Sequence, residues 1–470
     1  MKLFKKTKTS RFQTLVIGIA LTAAATLVNA KPNIIVIFAD DMGYGDMSNN
    51  GHPTIRTPHL DQMTAEGQKW TSFYSASSVC TPSRAALLTG RYAVRSGMES
   101  KAYGVLFPDS KGGLPASEVT LPEMLKEVGY ATGMVGKWHL GHLPEFLPTR
   151  HGFDSWYGIP YSNDMELDRP KVTELNGGSL GQWHTGVHWD EPKSEYWQVP
   201  LMEGETILKL APDQTQLTKS YTTKAIDFIE SHKKKPFFLY LAHSMPHVPL
   251  FRSKDFEDFS AAGLYGDVIE EIDHSVGQIL GALRENGLAK NTLVVFTSDN
   301  GPWLEFKTKG GIAGPLRGGK FDTYEGGMRE PGIFWWPGKI KPAIIHDIGS
   351  TLDFMATFAA IAGLDAPEAA VDSYDLSGTL LQGEASPRKE LFYYKSTHVE
   401  ALRVGSFKVH FDRDARSAKP AITACYNLDH DPGENYDLRE SQAHLLSDFI
   451  QRLQQHRATI EPVEDQLARR

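Results

Sequence analysis

Cys80, Pro82, Ser83 and Arg84 stand together in the run SSVCTPSRAALLTGRY, residues 77–92. Cys80 is one of only two cysteines in 470 residues, and Cys425 is the other. A thiol in this setting is core filler, half of a disulfide, a metal ligand, a nucleophile or the raw material for a modified residue. The residues around it suit the start of a helix. Pro82 is tolerated in a first turn, and SRAALL has good helix propensity. Such an end presents free N–H groups and a positive dipole end to an anion. Four other stretches carry acids, cations and imidazoles. NIIVIFADD ends in Asp40 and Asp41, and NTLVVFTSDNG reaches Asp299 and Asn300. YATGMVGKWHLG carries Lys137 and His139, and PFFLYLAHSMPH carries His243 and His247. Taken singly each pair is commonplace, since Asp-Asp after a strand often makes a turn or a helix cap.

The elements that carry these residues make the pairs harder to dismiss. Each pair follows a short apolar run rich in Val, Ile or Phe, the pattern of a strand buried on both faces; the run before Lys137 is the weakest of the four. Helix-patterned segments lie between them: TLPEMLKEVG, LTKSYTTKAIDFIESH and YGDVIEEIDHSVGQILGALRENG. Strands alternating with helices predict an α/β fold with a large, mostly parallel sheet flanked by helices. Ligands of open α/β sheets bind outside the carboxyl ends of the strands, where all four pairs would fall. The tail differs. ELFYYKS, EALRVGSFKVHF and ITACYNL predict a small antiparallel sheet, and a terminal helix is expected over 442–456. A main domain over 31–380 and a C-terminal subdomain over 381–470 are expected, joined within DLSGTLLQGEASPRK.

Residues 1–30 carry Lys2, Lys5, Lys6, Lys8 and Arg11, an apolar run from Leu15 to Ala25, and small residues up to Ala30. This is the pattern of a secretory signal peptide, and it predicts a periplasmic or secreted protein. The run is too short to span a bilayer, and no later segment is apolar enough. Without the leader, 44 basic residues face 57 acidic ones. Such a surface repels polyanions, so a nucleic-acid partner is not expected. Any anionic substrate needs attraction local to its site. Cys80 and Cys425 would meet an oxidising compartment. Nothing in their spacing indicates a bridge, and about 440 residues bury a core without one.

The chain resembles the formylglycine-dependent sulfatases of the alkaline phosphatase superfamily, of the arylsulfatase A and N-acetylgalactosamine-6-sulfatase type. FADDMGYGDM, CTPSRAALLTGRY, GKWHLG, SDNGP, LRGGKFDTYEGGMREPGIFWWPG and YNLDHDPGENYDL occur in the family's order through nearly the whole chain. The resemblance implies an alkaline phosphatase-like sheet and oxidation of Cys80 to formylglycine by a maturation enzyme. The hydrate of that aldehyde has two hydroxyls on one carbon. One attacks sulfur and expels the alcohol; the other loses its proton and pushes sulfate off by C–O cleavage.

The resemblance also assigns roles. Asp40, Asp41, Asp299 and Asn300 match the metal ligands, with the Cys80-derived residue beside them. Their all-oxygen donor set favours Ca²⁺, with Mg²⁺ as the alternative, over zinc. Arg84, Lys137 and Lys320 match the cations around the sulfate. His139 matches the base for the second hydroxyl, and His247 the acid or hydrogen-bond donor at the leaving oxygen. His243 has either a structural role or a part in the site, and Asp46 and Glu325 are candidates to orient basic side chains. The implied substrate is a sulfated carbohydrate or an aryl sulfate. A phosphodiesterase or phosphonate monoesterase of the same superfamily, or an inactive binder of sulfated glycans, are the competing readings. Residues 181–200, GQWHTGVHWDEPKSEYWQVP, are aromatic enough to wall a sugar subsite or to staple a hairpin to the body.

Overall fold

The computed structural model describes residues 31–180, 185–412 and 420–470. The leader expected at residues 1–30 lies outside the described residues. The first strand, β1 (Asn33–Ala39), is buried along its whole length. Its side chains alternate between two cores: Ile35, Ile37 and Ala39 join one, and Ile34, Val36 and Phe38 join the other. That burial explains why the run is continuously apolar instead of alternating.

Nine further strands join it: β2 (Gln68–Tyr74), β3 (Ala131–Gly136), β4 (Ser155–Gly158), β5 (Pro200–Glu203), β6 (Thr206–Leu210), β7 (Phe237–Ala242), β8 (Thr292–Ser298), β9 (Arg329–Trp335) and β10 (Ala343–Ser350). The order across the sheet is β10-β2-β9-β8-β1-β7-β3-β4-β5-β6. The centre, β8-β1-β7-β3-β4, is parallel, as the sequence predicts. The flanks are mixed. β9 runs antiparallel to β8, and β2 antiparallel to β9, so β2 regains the central direction. β10 is parallel to β2, and β5 and β6 add an antiparallel hairpin.

Strand direction positions the site. The carboxyl ends of β1, β2, β3, β7 and β8 meet at one edge, and the loop that enters β9 starts there too. Helices cover both faces. Cys80–Thr89 forms α1, Leu217–His232 forms α2 and Gly263–Glu285 forms α3. α2 and α3 put Tyr221, Ala225, Ile269, Ile272 and Val276 into the first core, and α1 puts Ala85, Leu87 and Leu88 into the second. Among the described residues no helix is long and apolar enough to cross a membrane.

The tail forms an antiparallel sheet of β11 (Glu390–Lys395), β12 (His398–Val404), β13 (Phe407–Phe411) and β14 (Ile422–Asn427). EALRVGSFKVHF is two strands, folded at Gly405, whose φ of 56° suits glycine. The last helix, α4 (Leu446–Ala458), begins later than expected: the residues before it form turns, in which Gln442 N–H donates to the Leu438 carbonyl and Leu445 N–H to the Gln442 carbonyl. Phe449 and Leu453 of α4 join Tyr74, Tyr92 and Met328 in a third core. Residues 31–470 cluster as one unit. Leu467, near the end of the chain, is wholly buried in the second core.

Glu325 pins the small sheet to the large one. It accepts from Tyr74 (2.6 Å), Tyr393 (2.7 Å) and Lys408 (3.0 Å), and pairs with Arg329 at 3.4 Å. Burial alone would raise its pKa, but Lys408, Arg329 and Arg403 outweigh it and hold the carboxyl at about 2. Glu99 behaves in the opposite way. It accepts backbone N–H groups of Ser396 and Thr397 at the β11–β12 turn, yet burial pushes it up to about 8. The unfolded chain releases this proton near 4.5, and the folded chain keeps it up to about 8. Its contribution to stability is therefore present at acid pH and lost as pH rises across that window. Wild type should lose about 1.4 kcal/mol per pH unit there through this group. Glu99→Gln should show a shallower decline, measured by urea unfolding at pH 5, 6.5 and 8; parallel slopes would refute the assignment.

Candidate active site

Cys80 is the first residue of α1, at the carboxyl edge of the sheet, and it is 1% exposed. Lys320 Nζ lies 3.5 Å from its Sγ, Asp40 Oδ1 3.5 Å and Asp41 Oδ1 3.9 Å. Burial, reinforced by the charges of Asp299 and Asp40, pushes the thiol well above its ordinary value. Thiols react as thiolates, and burial here disfavours the thiolate of Cys80. Cys80 and Cys425 are both free.

Six buried charges surround it. Arg84, one turn along α1, donates from Nε (3.1 Å) and Nη2 (2.8 Å) to Asp299, and its Nη2 stands 3.4 Å from Asp40. Its Nη1 donates to the Lys137 carbonyl at 2.9 Å. Lys137 Nζ donates to Asp40 at 2.6 Å. Lys320 Nζ reaches both oxygens of Asp41, at 2.7 and 2.8 Å, and lies 4.4 Å from the Trp303 ring centre. Burial opposes ionisation of Asp40, but Lys137, Arg84 and Lys320 outweigh it and hold its pKa below the usual range. Asp41 is pushed up to about 7, by burial first and then by Asp40 and Asp299, against the pull of Lys320.

Several joints in this edge are strained. Asp41, His139 and Phe321 have φ of 66°, 62° and 72°. Left-handed backbone at non-glycine residues costs about 1–3 kcal/mol each and persists where packing over-determines it. Gly136 turns the chain from β3 towards Lys137; a Cβ there would lie 1.7 Å from the Ala242 carbonyl oxygen.

The two imidazoles have defined tautomers. His139 Nε2 is 3.0 Å from the Leu106 carbonyl oxygen, which only accepts, so Nε2 carries the proton. Nδ1 is then a lone pair, and it is buried without a partner among the described residues. His247 Nδ1 is 2.5 Å from the Val248 carbonyl oxygen and carries its proton, leaving Nε2 at 3.6 Å from Asp41 Oδ2. Burial lowers both pKa values well below the ordinary one, with help from Lys137 and Arg84 at His139 and from Lys320 and Lys137 at His247.

The structure thus brings Asp40, Asp41, Cys80, Arg84, Lys137, His247, Asp299, Asn300 and Lys320 into one cluster. His139 reaches it through Thr81, whose hydroxyl donates to the His139 carbonyl at 3.0 Å. His243 is placed differently: its ring contacts Ser275 of α3 at 3.4 Å and lies beside Tyr221. Among the described residues Asp46 orients no basic side chain. It accepts from Gly43 N–H, Ile312 N–H and Tyr265 OH, and so ties two loops together. Glu325 does hold basic groups, Lys408 and Arg329, at the junction with the small sheet. Residues 181–184 of the aromatic segment lie outside the described residues. Beyond them, Trp189 and Trp197 are 5% and 1% exposed, Trp189 packing on His188 and Phe306 and Trp197 on His188.

Two residues that the sequence reading missed touch the cluster. Ser162 Oγ accepts from Lys137 at 3.2 Å and lies 3.3 Å from His247 Nε2. Trp303 packs 5.4 Å from the His247 ring. The signal for Ser162 was available: it follows the short strand SWYG as the other polar groups follow theirs.

A family model described as sulfatase matches residues 32–364, and another, described as the C-terminal region of aryl-sulfatase, matches 386–470. Arylsulfatase A of Homo sapiens is 42% identical over 463 residues, covering 92% of this chain and 88% of its own. N-acetylgalactosamine-6-sulfatase of Rattus norvegicus is 38% identical over 491 residues, covering 95% and 90%. The solved structure of Ps i-CgsB in complex with k-i-k-neocarrahexaose is 29% identical and superposes with a TM-score of 0.77, covering 92% of this chain and 94% of that one.

A divalent cation fits the cluster. Ligand atoms of Asp40, Asp41, Cys80 and Asp299 lie within 4.8 Å of one another, and Asn300 Oδ1 is buried without a partner among the described residues. Three carboxylates already face three basic side chains, so a bound ion leaves the site net positive, as an anionic substrate requires. Ca²⁺ or Mg²⁺ added to chelator-treated protein should raise its melting temperature in calorimetry. An ion at 100 times its Kd contributes about 2.7 kcal/mol. Asp41→Asn should remove most of the rise; an unchanged rise would place the ion elsewhere.

Proposed function

The chain belongs to the sulfatase family and is a sulfuric ester hydrolase, and we propose that its substrate is a carbohydrate sulfate cleaved by a formylglycine made from Cys80. The observation that carries this reading is the position of Cys80. Its side chain meets Lys320, Asp40 and Asp41 at the N-terminus of a helix, where an anion is favoured, while burial disfavours its thiolate. A side chain placed among the charges of the site, at the head of the CTPSR run, suits a precursor. The CTPSR run supplies the signal for a formylglycine-generating maturation enzyme, and the leader pattern of residues 1–30 supports export to the periplasm or beyond. In this reading residues 31–380 form the catalytic part and 381–470 the smaller one.

Asp40, Asp41, Asp299 and Asn300 would hold Ca²⁺, or Mg²⁺, which supplies Lewis-acid stabilisation of charge on the sulfate oxygens. The all-oxygen donor set supports a hard ion over zinc. Formylglycine, as its hydrate, supplies a nucleophile with a second hydroxyl for its own release. Arg84, Lys137 and Lys320 bind the sulfate and offset its charge. His139 is suited to take a proton because its Nδ1 lone pair is without a partner among the described residues. His247 aims Nε2 at the same cluster and is assigned to the leaving oxygen, which it serves as a donor once Nε2 is protonated. The carbohydrate assignment is supported by the neocarrahexaose bound to the structural relative and by the N-acetylgalactosamine-6-sulfatase likeness.

Mass spectrometry of active protein made with a maturation system should find formylglycine at residue 80; full activity with unmodified cysteine there would overturn the reading. On enzyme so confirmed, the two histidines should separate. General acid–base help contributes about 10²–10⁴-fold, and a sugar alkoxide needs it more than a nitrophenolate. His247→Ala should therefore slow a carbohydrate sulfate far more than 4-nitrophenyl sulfate. His139→Ala should slow both, with a burst of released alcohol before slow turnover. Equal losses without a burst would mean that both rings only hold the sulfate.

A further inference from the structure

A cavity of about 760 Å³ is walled in part by two segments that also reach the cluster. Phe107, in its wall, follows Leu106, whose carbonyl holds His139. Asp164, also in its wall, lies two residues beyond Ser162, which bonds Lys137 and touches His247. Tyr103 and Phe107 line the cavity as a ring pair 6.4 Å apart, at 36% and 38% exposure, with Trp189 more deeply buried. The Arg470 guanidinium covers one face of Tyr103, 4.0 Å from its centroid, and lies 5.6 Å from that of Phe107; the ring surface left exposed offers a place for a sugar ring to stack.

Asp164 is the anomaly in this wall. The Ser162 hydroxyl and Asp164's own N–H approach its carboxylate, yet Oδ1 is buried with no hydrogen-bond partner among the described residues. A buried carboxylate oxygen without a donor is costly, and it is satisfied if a ligand brings an O–H or N–H. Aspartate accepts from either. A nitrophenyl leaving group brings no such donor, whereas a sugar carries hydroxyls on the carbons beside the ester.

We propose that Asp164 is a specificity-determining residue, whose Oδ1 accepts a hydroxyl or amide hydrogen of the sugar that leaves, while Tyr103 and Phe107 stack on its ring. This rests on the carbohydrate reading above and makes it specific: the enzyme selects polyhydroxylated leaving groups over flat aromatic ones. A site built to bond a hydroxyl rejects an analogue that lacks it, because its own polar group is then left unpaired.

The test uses the metal-loaded enzyme with residue 80 confirmed as formylglycine. Wild type, Asp164→Ala and Asp164→Asn are compared by kcat/KM on 4-nitrophenyl sulfate and on a panel of monosulfated galactose, glucose and N-acetylgalactosamine. The expected result is a loss of roughly 10–100-fold on the preferred saccharide in Asp164→Ala. A smaller loss is expected in Asp164→Asn, and less than about 3-fold change on the aryl sulfate in either. The matching unsulfated sugar should also inhibit aryl sulfate hydrolysis by wild type more strongly than by Asp164→Ala. Equal losses on both substrates would make Asp164 a positioning residue for Ser162 and Lys137 and overturn the proposal. Unchanged saccharide turnover and inhibition would overturn it while leaving the carbohydrate reading intact. Aryl sulfate turnover by wild type with none on the panel, and no inhibition by any of the sugars, would sink the carbohydrate reading and this assignment with it.

Discussion

Six charges, three of each sign, are buried against one another at the carboxyl edge of the sheet. Taking an ion out of water costs several kcal/mol, and only close partners of opposite charge offset it. Arg84 needs Asp299 and Asp40, Lys137 needs Asp40, and Lys320 needs Asp41. These partners come from five segments: β1, α1, the turn after β3, the end of β8 and the loop before β9. Withdrawing Asp40 strands Lys137, withdrawing Arg84 strands Asp299 and withdrawing Asp41 strands Lys320, whereas Arg84 and Asp40 each keep a second partner when one is lost. The parallel centre of the sheet exists, in functional terms, to bring those ends to one level, and the reversal at β9 lets β2 deliver α1 to the same edge.

The neutral balance of side chains also sets what the site attracts. A protein with an excess of acidic residues offers no long-range pull on an anion. The attraction has to come from a net positive pocket, which a divalent cation creates once the carboxylates and bases have cancelled. The left-handed conformations at Asp41, His139 and Phe321 belong to the same logic. Each lies in or beside a residue of the cluster, and the packing of β1 against β7 and β8 carries the strain.

The small antiparallel sheet is bound to this edge from behind. Glu325 follows Lys320 in the same loop and is locked by Tyr74, Tyr393 and Lys408, so the small sheet steadies the segment that carries a cation of the site. The tail then returns to the main core. Gln466 N–H donates to the Gly97 carbonyl, and Gly97 and Gly112 leave room that a Cβ would take from the tail backbone. The chain therefore folds as one unit from residue 31 onward, although the sequence has two textures.

Much of this was legible in the residues. The burial of β1, β7 and β8 on both faces is written as unbroken apolar runs, and α2 spans the segment its pattern indicates. The cluster members were visible because polar groups stop those runs, and because CTPSR and its companion motifs are specific. Local pattern was sufficient there because strand burial and helix propensity are set by neighbours in sequence. What local pattern does not encode is pairing between distant segments. That β9 runs against β8, that Asp46 holds loops instead of a base, that His243 faces Ser275, and that Glu325 serves a junction are all decided by contacts across 30 to about 270 residues of chain. The tautomers of His139 and His247 were likewise decided only by the fold, because the carbonyls of Leu106 and Val248 choose which nitrogen keeps its proton. Nothing in the sequence pattern marks Ser162, Asn163 and Asp164 as buried; only tertiary packing encloses Ser162 and Asn163 and leaves one buried carboxylate oxygen of Asp164 without a donor among the described residues.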